Sequence, residues 1–151
     1  MLKTRRKALK TLLSEKVVSI GDYRNLRSGR SLRRVALVTT DQELIKVLSA
    51  NLISQAEIIP FDSRFSFEQA IKQGDWDSAL LDQRILKDDT LPLCEKLKRQ
   101  NKLEDLYVII LATDSSKDAV RQGYEKGCDE WITRFDDLNH LARLLSQHIA
   151  G

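Results

Sequence analysis

The most constraining feature of the chain is an alternation, from about residue 34 onward, of short apolar runs with longer segments of helical spacing. The runs are Val35-Ala36-Leu37-Val38, Ile58-Ile59, Ala79-Leu80-Leu81, Val108-Ile109-Ile110-Leu111 and Trp131-Ile132. Most are continuous rather than alternating. Successive side chains of a strand point to opposite faces, so a continuous apolar run belongs to a strand covered on both sides, as in a parallel sheet.

Between the runs lie five amphipathic segments. The first carries Leu44, Ile45, Val47, Leu48 and Leu52, and opens with Thr40-Asp41-Gln42-Glu43, which reads as a capping box. The second opens at Ser66, with Gln69 three residues later, and carries Phe67, Ala70 and Ile71. The third begins near Thr90-Leu91-Pro92, where a first-turn proline is tolerated, and continues through Leu93, Leu97 and Leu103. Ser115 or Ser116 caps the fourth, which holds Ala119, Val120 and Tyr124 and stops at Gly127. The fifth follows Asp136-Asp137 and places Leu138, Leu141, Leu144, Leu145 and Ile149 on one face.

Five strands alternating with five helices define an α/β domain with a doubly wound parallel sheet. Right-handed crossovers leave few topologies, and the flavodoxin-like (βα)5 order 2-1-3-4-5 is expected. In such a sheet, function gathers beyond the carboxyl ends of strands one and three, at the switch point. Thr39, Thr40, Asp41, Asp82, Ala112, Thr113 and Arg134 are the residues placed there.

Charge sets the domain boundary. Residues 1–34 hold eleven basic side chains against two acidic ones, a net +9, while the remainder holds 14 basic against 20 acidic, a net −6. The chain therefore divides into a basic N-terminal extension, residues 1–32, and a domain over 33–151. Within the extension, Ala8, Leu9, Leu12, Leu13 and Val17 fit the stripe of one amphipathic helix, and 18–33 read as a polar, basic linker. No run reaches membrane-span length, and the N-terminus lacks the apolar core and cleavage site of a secretory signal. Cys94 and Cys128 match neither a zinc site nor a disulfide framework, so both read as apolar fillers and the cytoplasm is the expected compartment.

The order Val35-Ala36-Leu37-Val38-Thr39-Thr40-Asp41, Asp77-Ser78-Ala79-Leu80-Leu81-Asp82, Val108-Ile109-Ile110-Leu111-Ala112-Thr113 and Gly127-Cys128-Asp129-Glu130-Trp131-Ile132-Thr133-Arg134-Phe135 resembles a response-regulator receiver (CheY-like) domain over nearly all of 33–151. In that family an acid pair after the first strand binds magnesium together with a phospho-accepting aspartate after the third. A hard cation is needed there to neutralise phosphoryl oxygens and align the transfer. By this resemblance Asp82 matches the phospho-acceptor, Thr39 and Thr40 stand in place of the acid pair, and Ala112 replaces the usual hydroxyl residue. Arg134 replaces the lysine, and Trp131 sits at the switch aromatic. Phe135 and Leu86 stand where prolines are common. Asp41 resembles the third acid that often follows the pair, since helix phase counted from Thr40 turns Leu44, Val47 and Leu48 inward. Thr113 supplies the missing hydroxyl only if strand four ends one residue later.

The resemblance thus implies an atypical, pseudo-receiver member with a degenerate phosphorylation pocket, in which magnesium held by Asp41 and Asp82 is weak or absent. Asp82 also reads as a plain strand-end aspartate bonding to loop amides, Asp41 as a first-turn helix acid, and Trp131 as packing. Arg134 would form a fixed ion pair with Asp82. The implied function is protein–protein interaction in two-component-type signalling. The partner, or a second copy of the chain, would dock on the face of the fourth helix, fifth strand and fifth helix, including Tyr124 and Trp131. Two other readings stand beside it. One is a phospho-accepting receiver using Asp82, Asp41 and a backbone carbonyl near Arg84. The other is a regulator tethered by its basic arm to an anionic surface, either membrane or nucleic acid. An independent enzyme with a small-molecule substrate is not expected. The sequence has no P-loop, no nucleophile elbow and no G-x-G-x-x-G after the first strand, and His140 and His148 fall in no ligand pattern.

Overall fold

The computed structural model describes residues 32–100, 105–133 and 137–150. The amphipathic helix and the linker expected in the arm up to residue 31, Leu103, Arg134, Phe135 and Asp136 lie outside the described residues, while Arg33, read as the linker's last residue, opens the first strand. The elements in chain order are β1 (Arg33–Val38), α1 (Gln42–Asn51), β2 (Ala56–Phe61), α2 (Arg64–Ile71), β3 (Ser78–Asp82), α3 (Thr90–Arg99), β4 (Tyr107–Leu111), α4 (Lys117–Glu125), β5 (Glu130–Ile132) and α5 (Leu138–Ala150). A single helical turn, Gln83–Leu86, and a 3-10 turn, Lys87–Asp89, link β3 to α3. Among the described residues all strand pairings are parallel, and the sheet order is β2-β1-β3-β4-β5. The parallel direction is the one the continuous apolar runs imply, and the strand order is the one expected from right-handed crossovers.

The continuity of those runs has a direct cause. Ala36, Val38, Ala79, Leu81, Val108 and Ile110 pack on one face with Phe67 and Ile71 of α2 and Leu93 and Leu97 of α3. Val35, Leu37, Leu80, Ile109 and Leu111 pack on the other with Leu44 and Leu48 of α1 and Leu141 and Leu145 of α5. Each fully buried leucine contributes about 2 kcal/mol, so both layers are needed to hold the sheet. Pro60 lies in β2, which among the described strands pairs with β1 alone, and an edge strand tolerates the missing N–H.

Helix starts differ from the sequence reading in two places. Asp41, not Thr40, caps α1: its Oδ1 accepts from the amides of Glu43 and Leu44 at 3.0 and 3.1 Å. Glu43 is therefore one position too early to close a capping box. Ser63, not Ser66, caps α2, and its Oγ accepts the Ser66 amide at 3.1 Å. Each site offers two candidates, Thr40 and Asp41 for α1 and Ser63 and Ser66 for α2, and the later one caps the first helix while the earlier one caps the second. Ser116 caps α4, and Gly127 adopts φ +102°, the left-handed stop that glycine permits. Cys94 and Cys128 are free and buried; burial pushes their thiols up to about 12 and about 11, so both are neutral fillers at physiological pH.

Candidate functional site

β1 and β3 are neighbours whose crossovers leave in opposite directions, and their carboxyl ends carry Thr39 and Asp82. Asp82 is the last residue of β3 and is 1% exposed. It also caps the helical turn that follows, so its carboxylate is folded back onto its own chain.

Each oxygen of Asp82 accepts two hydrogen bonds. Oδ1 accepts the Arg84 backbone amide at 2.9 Å and Arg84 Nε at 3.0 Å. Oδ2 accepts the Thr39 hydroxyl at 2.6 Å and Arg84 Nη2 at 2.8 Å. An ionised carboxylate has about four lone-pair sites, and all are engaged. The same Arg84 Nη2 also donates to Asp41 Oδ2 at 3.0 Å. One guanidinium thus bridges the two carboxylates of the pocket. Asp82 and Asp41 raise the guanidinium's affinity for its proton further, though it is half exposed. Asp41 is held below the usual carboxylate range: partial burial opposes this, but the Leu44 amide, Arg84 and the Glu43 amide outweigh it.

Thr39 joins the pair, since its Oγ1 accepts the Asp41 amide at 3.0 Å while donating to Asp82. Thr40 is exposed and takes no part in this network. β4 ends at Leu111, so Ala112 is fully buried, packs in the core and donates its amide to Ile132 O at 2.7 Å. Thr113 is exposed and does not reach Asp82. Its amide and hydroxyl both donate to Gln83 Oε1, at 2.8 and 3.2 Å.

Further along this edge, Trp131 Nε1 donates to the Asp114 carbonyl at 3.0 Å, and its ring lies against Gly123 of α4. Tyr124 is 46% exposed on α4. The two proposed metal ligands, Asp41 and Asp82, are brought together, but with an arginine between them. Among the described residues there is no group of three or more His, Cys, Asp or Glu side chains arranged to hold a metal ion.

Two side chains that matter here were missed in the sequence. Arg84 entered that reading only through its backbone carbonyl, and Arg134, expected to pair with Asp82, lies outside the described residues. Gln83 did not enter at all. The available signal was the string Asp82-Gln83-Arg84: an N-capping aspartate followed two residues later by arginine puts amide and guanidinium on the same carboxylate.

An open parallel sheet of order 2-1-3-4-5 with helices on both faces defines the doubly wound class, and comparison with solved structures narrows it. The chain is similar to a response regulator from Thermotoga maritima, 15% identical with a TM-score of 0.68, over 80% of this chain and 99% of that one. It is similar to the chemotaxis response regulator CheY4 of Vibrio cholerae, 14% identical with a TM-score of 0.68, over 78% and 98%. An orphan response regulator of H. pylori matches at 13% identity and a TM-score of 0.67, over 78% and 96%. No family model matches the sequence, and no curated protein matches it. The domain has the receiver (CheY-like) fold. No described helix is long and apolar enough to cross a membrane.

Proposed function

We propose that this chain is a receiver-like signalling module in two-component-type signal transduction that acts by binding a protein partner, without accepting a phosphoryl group. The observation that carries the reading is the saturation of Asp82. Attack on phosphorus needs a free carboxylate lone pair and a divalent cation beside it. Here every acceptor site is occupied, and the cation is the guanidinium of Arg84.

The residues do not fit a magnesium ion. Magnesium demands near-octahedral oxygen ligands and is usually held by carboxylates and water. Two carboxylates already neutralised in part by Arg84, with threonines at positions 39 and 40, leave too little negative charge to displace a tethered cation. A tethered arginine also has the advantage of needing no cation from solution. The site therefore serves as a structural clasp, and signalling falls to the surfaces.

Incubation with a small-molecule phosphodonor and millimolar magnesium, read by intact mass, tests this. No phosphoryl adduct is expected. An Asp82-dependent adduct approaching one per chain would establish the phospho-accepting alternative, with Arg84 swinging aside to admit the metal.

A further inference from the structure

Gln83 and Arg84 leave Asp82 in opposite directions along the carboxyl edge of the sheet. Arg84 reaches Asp41 at the start of α1, while Gln83 reaches Thr113 just past β4. Gln83 Oε1 accepts two hydrogen bonds from that one residue, its amide and its hydroxyl. The next residue, Asp114, holds two further links. Its carbonyl accepts Trp131 Nε1, and its carboxylate accepts the Ser116 amide at 2.8 Å, where Ser116 caps α4. Trp131 in turn packs on Gly123. The contacts form an unbroken series from Asp82 to the face made by α4 and β5.

We propose that Gln83 is a positioning residue for that face: its carboxamide oxygen fixes the β4–α4 loop, so that α4 and Trp131 are presented in one conformation without any covalent modification. The proposal rests on the binding-module reading above and specifies how its surface is held. Three features support it. The oxygen is supplied by the residue adjacent to Asp82, whose backbone the Arg84 clasp immobilises. The turn is closed behind it, because Lys87 N–H donates to Gln83 O. Lys87 also takes φ 50° and ψ −124°, a conformation that side chains rarely adopt and that persists only where surrounding contacts impose it.

The chemistry required at position 83 is a hydrogen-bond acceptor at the end of a four-bond side chain. Gln83→Glu keeps that acceptor, while Gln83→Met keeps the length and removes it. Two measurements on the full chain separate them: hydrogen exchange at the Thr113 amide, and the indole N–H cross-peak of Trp131 in a nitrogen-15 correlation spectrum, assigned with Trp131→Phe. Loss of the acceptor should speed Thr113 exchange roughly two- to tenfold and move or broaden the Trp131 peak, and the glutamate variant should resemble wild type. Unchanged Thr113 protection in Gln83→Met would remove the proposal. Faster exchange with an unmoved Trp131 peak would remove the coupling to the face. A glutamate variant that behaves like methionine would show that acceptance is not what matters. Phosphorylation of wild-type Asp82 would overturn the function proposed above, but it would leave these readouts standing.

Discussion

Arg84 turns back along the chain to hold both carboxylate oxygens of Asp82, with Nε at 3.0 Å and Nη2 at 2.8 Å. This contact fixes the sign of a simple experiment. In a pocket crowded with acids, replacing an aspartate by asparagine relieves repulsion and stabilises the fold. Here the same change removes a paired charge and leaves Arg84 facing a neutral amide. Asp82→Asn should therefore lower stability by about 2 kcal/mol, the partial exposure of Arg84 keeping the cost below that of a fully buried pair. Urea unfolding would show it, and a variant as stable as wild type would mean that the clasp contributes nothing.

Removing the cation instead of the anion gives the complementary result. Arg84→Ala keeps the backbone amide bond and the Thr39 bond to Asp82 but strips away two guanidinium bonds and the link to Asp41. A buried carboxylate is left without a counter-charge, at a cost of about 2–3 kcal/mol. Millimolar magnesium should then raise the melting temperature of the variant while leaving wild type unmoved, because only the variant has carboxylates free to bind it. Equal responses of the two proteins would break this account.

These experiments concern what the sequence showed least well. The strands were legible because Val35–Val38 and Val108–Leu111 are apolar without interruption, a pattern that burial on both faces imposes. Asp82 and Asp41 were legible as neighbours because strand order places the ends of β1 and β3 side by side. Arg84 was not, because a flexible side chain two residues beyond a strand end has many rotamers, and only the cap geometry of Asp82 selects the one that folds back. Gln83 gave no signal for a related reason. Its partner Thr113 lies 30 residues away, and their meeting depends on β4 ending at Leu111.

Asp41 predicts a pH dependence. Its folded pKa lies below the ordinary value, so its charge contributes stability that is complete above the unfolded pKa and is lost as pH falls through the lowered folded value. Melting temperature should thus hold steady down to the ordinary carboxylate range and fall in more acid solution. Asp41→Asn retains an N-capping side chain but not the charge, so it should shrink that acid-side loss while costing little as a cap. An acid limb as steep in the variant as in wild type would place the titration elsewhere.

Gly123 offers a test in which helix propensity and packing oppose each other. Alanine in place of a glycine inside a helix ordinarily stabilises by up to about 1 kcal/mol. At this position, however, an added Cβ would lie 2.3 Å from Trp131 Cε3 and 2.5 Å from Cζ3, so the ring must leave its seat. Displacing it also breaks the indole bond to the Asp114 carbonyl. Gly123→Ala should therefore lower stability by about 1–2 kcal/mol, overpacking outweighing propensity. The decisive comparison repeats the substitution in a Trp131→Ala background, where the obstruction is gone. There, the same alanine should become stabilising, and the change of sign between the two backgrounds measures how firmly the tryptophan is held against α4. If Gly123→Ala stabilises both proteins alike, Trp131 yields without resistance and the α4–β5 face is not fixed by this contact.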